Sequence, residues 1–221
     1  TVLIALLIFI IMFIWYRGTE IKERESQYLT VKNYTKQLLQ LSMDKSVPKY
    51  ATNLVYLTGA KREEDVDYAV LYSILNKQPK RANVYFFVHI NVLDEPYRRE
   101  YKVTKFSDKK ILKITFNLGF RENQRVNMFM HQVIDDLLMN KELELQPTKY
   151  NLRGKVETVG DFRFVLIEEV LGNSNGLSSF DNFIMGLRLK LKKITVTPEK
   201  WFGLDTSVTT KESVPLNVVQ T

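Results

Sequence analysis

The chain opens on Thr1 to Tyr16, TVLIALLIFIIMFIWY, a run that holds no charged residue. It is apolar around its whole circumference, which predicts a membrane-spanning helix, because a helix in a soluble core keeps one polar face. Its 16 residues span roughly 24 Å, less than the roughly 30 Å hydrocarbon core, so we expect Thr1 to lie inside the last spanning helix of a longer protein. Trp15 and Tyr16 suit the interfacial aromatic belt, and Arg17, Lys22 and Arg24 suit a cytoplasmic flank. A signal peptide carries its basic residues before the apolar run and a small-residue cleavage site after it, and this run has neither.

The pattern then changes. Residues 18–47 read as a juxtamembrane helical linker, with Tyr34, Leu38, Leu39 and Leu41 at helical spacing before Pro48. From 48 to 204 the pattern predicts one cytosolic domain. Thr52 to Thr58 reads as a short buried strand, followed by a helix that carries Val66, Ala69, Val70, Ser73 and Ile74 on one face. Asn83 to Leu93, NVYFFVHINVL, is dense in β-branched and aromatic residues and suits a central strand buried on both faces. Glu100 to Thr104 and Lys110 to Asn117 predict the next pair of strands, and Phe162 to Val170 another. Val126 to Met139 is an amphipathic helix with Val126, Phe129, Met130, Val133, Ile134, Leu137 and Leu138 in its stripe. A last helix begins near Ser179 and ends in the basic RLKLKK, which complements the helix dipole. Residues 205–221 read as a polar tail that frays. The fold class is therefore α/β (α+β): one N-terminal transmembrane helix, then a cytosolic mixed β-sheet covered by helices.

Composition narrows the function. At 45% hydrophobic and 26% charged the chain is globular, and without Cys it has neither a disulfide framework nor a thiolate metal centre. Its net charge of +7 is concentrated between Lys77 and Arg125, which hold 12 basic and 5 acidic residues. Such a stretch suits an anion: an acidic lipid surface, a nucleotide phosphate, an acidic partner face, or solvent alone. Catalytic constellations are thin. Asp135 and Asp136 are adjacent on a helix and point about 100° apart, the wrong geometry for a shared proton. His89 on an apolar strand and His131 on the amphipathic helix read as structural, with no HExxH beside them, and Ser178 and Ser179 read as a helix cap. No Walker sequence is present, and no nucleic-acid module accompanies the basic stretch, so we expect neither an enzyme nor a nucleic-acid partner.

Several blocks in register carry a resemblance: LLIFIIMFIWYRG, SVPKYATNLVYLTG, NVYFFVHINVLDEPYRREYKV, ITFNLGFRENQRV and the late WFGL. Together they resemble the carboxyl-terminal part of bacterial Kup-type potassium uptake permeases over nearly the whole chain. The matching positions are Trp15, Arg17 and Gly18; Val47, Pro48, Ala51, Leu57 and Thr58; Pro96; and Gly119 with Phe120. The sequence departs from the family pattern at Arg153-Gly154, where the order is reversed, and at LDTSV near the end.

The resemblance implies a multi-pass protein of the cell membrane that takes up potassium by proton symport and forms a homodimer. The transport residues then lie in an upstream transmembrane bundle, because Thr1 to Tyr16 has no ionisable side chain. The domain after residue 17 is left with a regulatory role, biasing the states of that bundle. Inhibition of some relatives by cyclic di-AMP makes a cyclic dinucleotide the expected ligand. Its phosphates and purines need guanidinium donors and stacking surfaces, which two turns supply: Tyr97, Arg98 and Arg99 in DEPYRRE, and Tyr150, Asn151 and Arg153 in TKYNLRG. The alternative reading is a membrane-tethered dimerisation or nucleotide-sensing module without a transport role. No cofactor and no metal are expected.

Overall fold

Strand β4 of the fold, Arg81–Leu93, shows why the chain builds a two-faced sheet. Val84, Phe86 and Val88 point into one apolar cluster and Tyr85 and Phe87 into another, all of them almost completely buried. Alternate side chains of a strand face opposite sides, so an unbroken apolar run stays ordered only with cover on both faces. The structure, a computed structural model, describes residues 2–107, 109–144, 161–170, 176–194, 197–204 and 207–215.

The elements follow in the expected order. They are α1 (Val2–Glu25), β1 (Tyr28–Thr30), a 3-10 turn and α2 (Thr35–Met43), β2 (Lys49–Leu57), β3 (Asp65–Asp67) and α3 (Tyr68–Tyr72). After β4 come β5 (Arg99–Ser107), β6 (Ile111–Gly119), α4 (Val126–Met139), β7 (Phe162–Val170), α5 (Ser179–Ile194), α6 (Pro198–Trp201) and β8 (Thr209–Pro215). The main sheet has the order β5-β6-β4-β2-β7-β8. Strands β6, β4, β2 and β7 run parallel, and β5 lies antiparallel at one edge. Val55 sits at the centre, between Phe86 and Phe164. Helix α4 covers one face through Phe129, Met130, Val133, Ile134 and Leu137. The other face is covered by Val31, Leu38, Val70, Leu71 and Ile74 from the turn before α2, from α2 and α3, and from the turn after α3.

The chain divides into two units, one made of residues 28–167 and 198–212 and the other of residues 1–27, 168–197 and 213–221. Three features depart from the sequence pattern. Residues 28–43, read as a linker, contribute Val31 and Leu38 to the core with no exposed surface, and β1 pairs with β3 through Leu29 and Val66. The expected helix from Val66 begins two residues late and widens into a π-turn over Ser73–Lys77. There the Lys80 ammonium takes the Ser73 carbonyl at 2.6 Å, diverting it from the helical ladder. The tail expected to fray instead carries β8, whose Glu212 and Val214 are buried.

In the other unit α1 is continuous from the apolar run through Glu25, and it is long and apolar enough to cross a membrane. Its partner is α5, which buries Ile184 and Met185 against Ile14 and Ile21. Ser178 caps α5 by accepting the Asp181 amide at 3.1 Å, as its position before an amphipathic run predicts.

Candidate functional site: a gripped juxtamembrane helix and a basic turn

The Trp-x-Arg-Gly step of the sequence lies where α1 meets α5. Arg188 donates to the Gly18 carbonyl at 3.0 Å and to the Thr19 hydroxyl at 3.3 Å, and its guanidinium stands 5.5 Å from the Trp15 ring centroid. A Cβ on residue 18 would run into the Arg188 side chain, so glycine lets that side chain pack directly on the α1 backbone. Nearly two helical turns further from the apolar run, Arg24 donates to Asp181 at 3.0 Å, while beside Gly18 Arg17 pairs with Glu20 at 2.7 Å. An Arg stacked on Trp while bonded to a backbone carbonyl fixes rotation as well as distance. The arrangement makes α1 and α5 a single stiff element at the end of the apolar run.

The three described residues of the expected dinucleotide site stand together on the β4–β5 turn. Tyr97 is exposed and accepts a hydrogen bond from Arg121 at 3.0 Å, with the guanidinium also over its ring. Arg98 is held between Glu95 at 3.0 Å and Glu100 at 2.9 Å. Arg99 lies over the Phe129 ring, 5.5 Å from its centroid. The turn is pinned by Gly119, whose amide donates to Arg98 O at 2.7 Å and whose missing Cβ would otherwise strike Glu95 O at 2.3 Å. Tyr150, Asn151 and Arg153 lie outside the described residues, so the structure brings together only one half of the expected site. Arg121 joins that half and was not singled out from the sequence. Its signal was the Gly-Phe-Arg step at the end of β6.

Two buried lysines were not legible as functional candidates. Lys113, on β6, is 1% exposed and donates to the carbonyls of Ala60, Arg62 and Asp65 at 2.9, 2.6 and 2.6 Å. Burial brings its pKa down to about 8. Lys80 pairs with Glu212 at 3.1 Å, and Ser73 bridges the two, donating to Glu212 at 2.6 Å while sharing a 2.7 Å hydrogen bond with the Tyr56 hydroxyl. This network ties β8 to the π-turn. His89 is nearly buried, with Nδ1 3.0 Å from the Thr58 carbonyl, and desolvation holds its pKa below the ordinary histidine range. His131 packs its ring edge on Phe162 at 5.3 Å. Asp136 accepts from Tyr101 at 2.5 Å. These groups are engaged in structural contacts with their neighbours.

Comparison with known proteins gives a consistent answer. The family model described as the K+ potassium transporter C-terminal domain matches residues 51–215. A protein of Clostridium perfringens strain SM101 named "Probable potassium transport system protein Kup" is 45% identical over 216 residues, covering 98% of this chain and 33% of that protein. Proteins with the same name from Cytophaga hutchinsonii and Enterococcus faecalis are each 44% identical, over 93% and 96% of this chain and 31% and 32% of theirs. The chain thus spans about a third of the length of these relatives. No solved structure matches it.

Proposed function

Because the chain belongs to the K+ potassium transporter family by its C-terminal domain, we propose that it is the regulatory end of a multi-pass potassium uptake protein. Potassium enters through a bundle upstream of α1, coupled to proton entry, and the domain after Arg17 faces the cytoplasm. The observation that carries this reading is the grip of α5 on α1. The apolar run of a helix long enough to span a membrane closes on Trp15, Arg17 and Gly18, and Trp15 and Gly18 both contact one arginine of a helix far along the chain. A cytoplasmic element fixed in this way to a spanning helix can bias transport states by preferring one helix position over another. The apolar part of α1 carries no ionisable group, which leaves the ion path to other helices.

Cyclic di-AMP is the ligand we assign to this regulation, with the protein acting as a homodimer. Tyr97 supplies a stacking surface, Arg98 and Arg99 the phosphate donors, and Tyr150, Asn151 and Arg153 the facing half. A phosphate entering between the arginines must displace Glu95 and Glu100 from Arg98, which makes binding salt-dependent and weaker than a free arginine allows.

The test is growth. The full-length parent should restore a potassium-uptake-deficient bacterium at low external potassium, and a protonophore should stop its uptake. A version ending after Glu25 should keep its preference for potassium over sodium and lose its response to cyclic di-AMP. No growth by the parent refutes transport, and changed ion preference in the shortened form refutes the division of labour.

A further inference from the structure

Helices α1 and α5 run antiparallel. Asp181 of α5 meets Arg24 at 3.0 Å, and seven residues later Arg188 meets Gly18, six residues back along α1. Continued past Arg188 at about 1.5 Å per residue, α5 therefore advances along α1 toward Tyr16 and Ile14, where the apolar run begins. Leu187 and Leu191 follow it there, packing against the cluster of Ile14 and Ile21. The stretch Arg188 to Lys193 holds four basic residues and no acidic one, and Lys190 and Lys192 are exposed. These charges are thus set beside the Trp15-Tyr16 belt by a contact inside one unit of the protein, not by composition alone.

We propose that the basic carboxyl end of α5, through the exposed Lys190 and Lys192, binds the phosphates of acidic phospholipids at the cytoplasmic face of the membrane that α1 spans. Three features select lipid. The position is fixed at the level of the interfacial aromatics, where headgroup phosphates lie. Leu187 and Leu191 turn one side of this helix end onto the Ile14 and Ile21 cluster, while Lys190 and Lys192 are exposed. The sign of charge matches an anionic leaflet, which attracts each juxtamembrane Lys or Arg. The acidic residue nearest in level, Glu20, is held by Arg17 at 2.7 Å on α1 itself.

The test uses the full-length parent, released in mild detergent from bilayers of phosphatidylcholine with a minor fraction of phosphatidylglycerol, with retained lipids counted by native mass spectrometry. The parent should retain phosphatidylglycerol over phosphatidylcholine, and this preference should shrink as salt rises. Lys190→Gln with Lys192→Gln, both exposed, should weaken that preference by about thirtyfold. Lys105→Gln with Lys109→Gln, on the β5–β6 hairpin, should leave it unchanged. Equal retention of the two lipids by the parent overturns the proposal. So does an undiminished preference in the α5 variant, which would assign those lysines to acidic residues of the upstream bundle. An equal loss in the hairpin variant overturns it as well, because it reports net charge and not a site.

Discussion

Replacing Lys113 by Met removes one ammonium from three carbonyls while keeping the length and apolar stem of the side chain. The Ala60 and Asp65 residues are 1% and 8% exposed, so water cannot readily replace the lost donor at either, whereas Arg62 lies on an exposed turn and can be resolvated. Two stranded acceptors cost about 2 to 6 kcal/mol. Part is returned, because the fold opposes the charge it buries: the fall in pKa from 10.5 to about 8 corresponds to roughly 3 kcal/mol against the ammonium. The net loss should be about 1 kcal/mol, which lowers a urea midpoint by about 0.5 M at a typical slope. Circular dichroism on the solubilised chain reads the midpoint, and hydrogen exchange reads whether the amides between Ala60 and Asp65 open first. A loss under about 0.5 kcal/mol, with exchange unchanged there, would refute the view that this ammonium holds the loop after β2.

Three further outcomes follow from buried contacts. Glu212→Leu should cost about 3 to 5 kcal/mol by stranding the Lys80 ammonium, while Lys80→Met with Glu212→Leu should recover most of it, and a double variant as unstable as the single one would contradict the pairing. Tyr85 donates to Lys80 O at 2.9 Å and burial raises its pKa from 10.0 to about 12, so the fold keeps a proton that the unfolded chain gives up. Stability should therefore fall by up to about 3 kcal/mol as pH rises from 10.0 to about 12; Tyr85→Phe should lack that slope in alkaline melts. Gly119→Ala places a methyl against backbone at Glu95 and Pro96 and should cost about 1 to 3 kcal/mol, read as a lowered thermal midpoint.

Periodicity disclosed elements whose burial is apolar. The stripe of α4 and the run of β4 were legible because each residue reports its own surroundings: Phe86 and Ile134 go inside wherever the chain places them. It failed where burial depends on a partner distant in sequence. TTKESVP reads as a solvated tail because Glu212 is charged, yet Lys80 and Ser73 neutralise it across more than 130 residues. Lys113 in KILKITFN likewise reads as an outward position, and only the folded loop after β2 reveals three carbonyls waiting for it. Gly18 was visible as part of a motif, but its reason is Arg188, 170 residues away. The candidate ligand turn was legible as a collection of arginines and a tyrosine. Its engagement with Glu95, Glu100 and Phe129 was not, since side-chain pairing at a turn leaves no period.

The position of β2 between β4 and β7 has a consequence for how the protein is made. Its pairing with β4 closes early, but the opposite edge waits for Phe162 to reach Asn53, more than 100 residues later on the ribosome. Until then a strand of almost wholly buried residues presents a bare row of amides and carbonyls, while α1 is already in a bilayer and holds it there. A chain halted before β7 is thus an open-edged sheet concentrated on a membrane surface, the form from which neighbouring copies recruit each other.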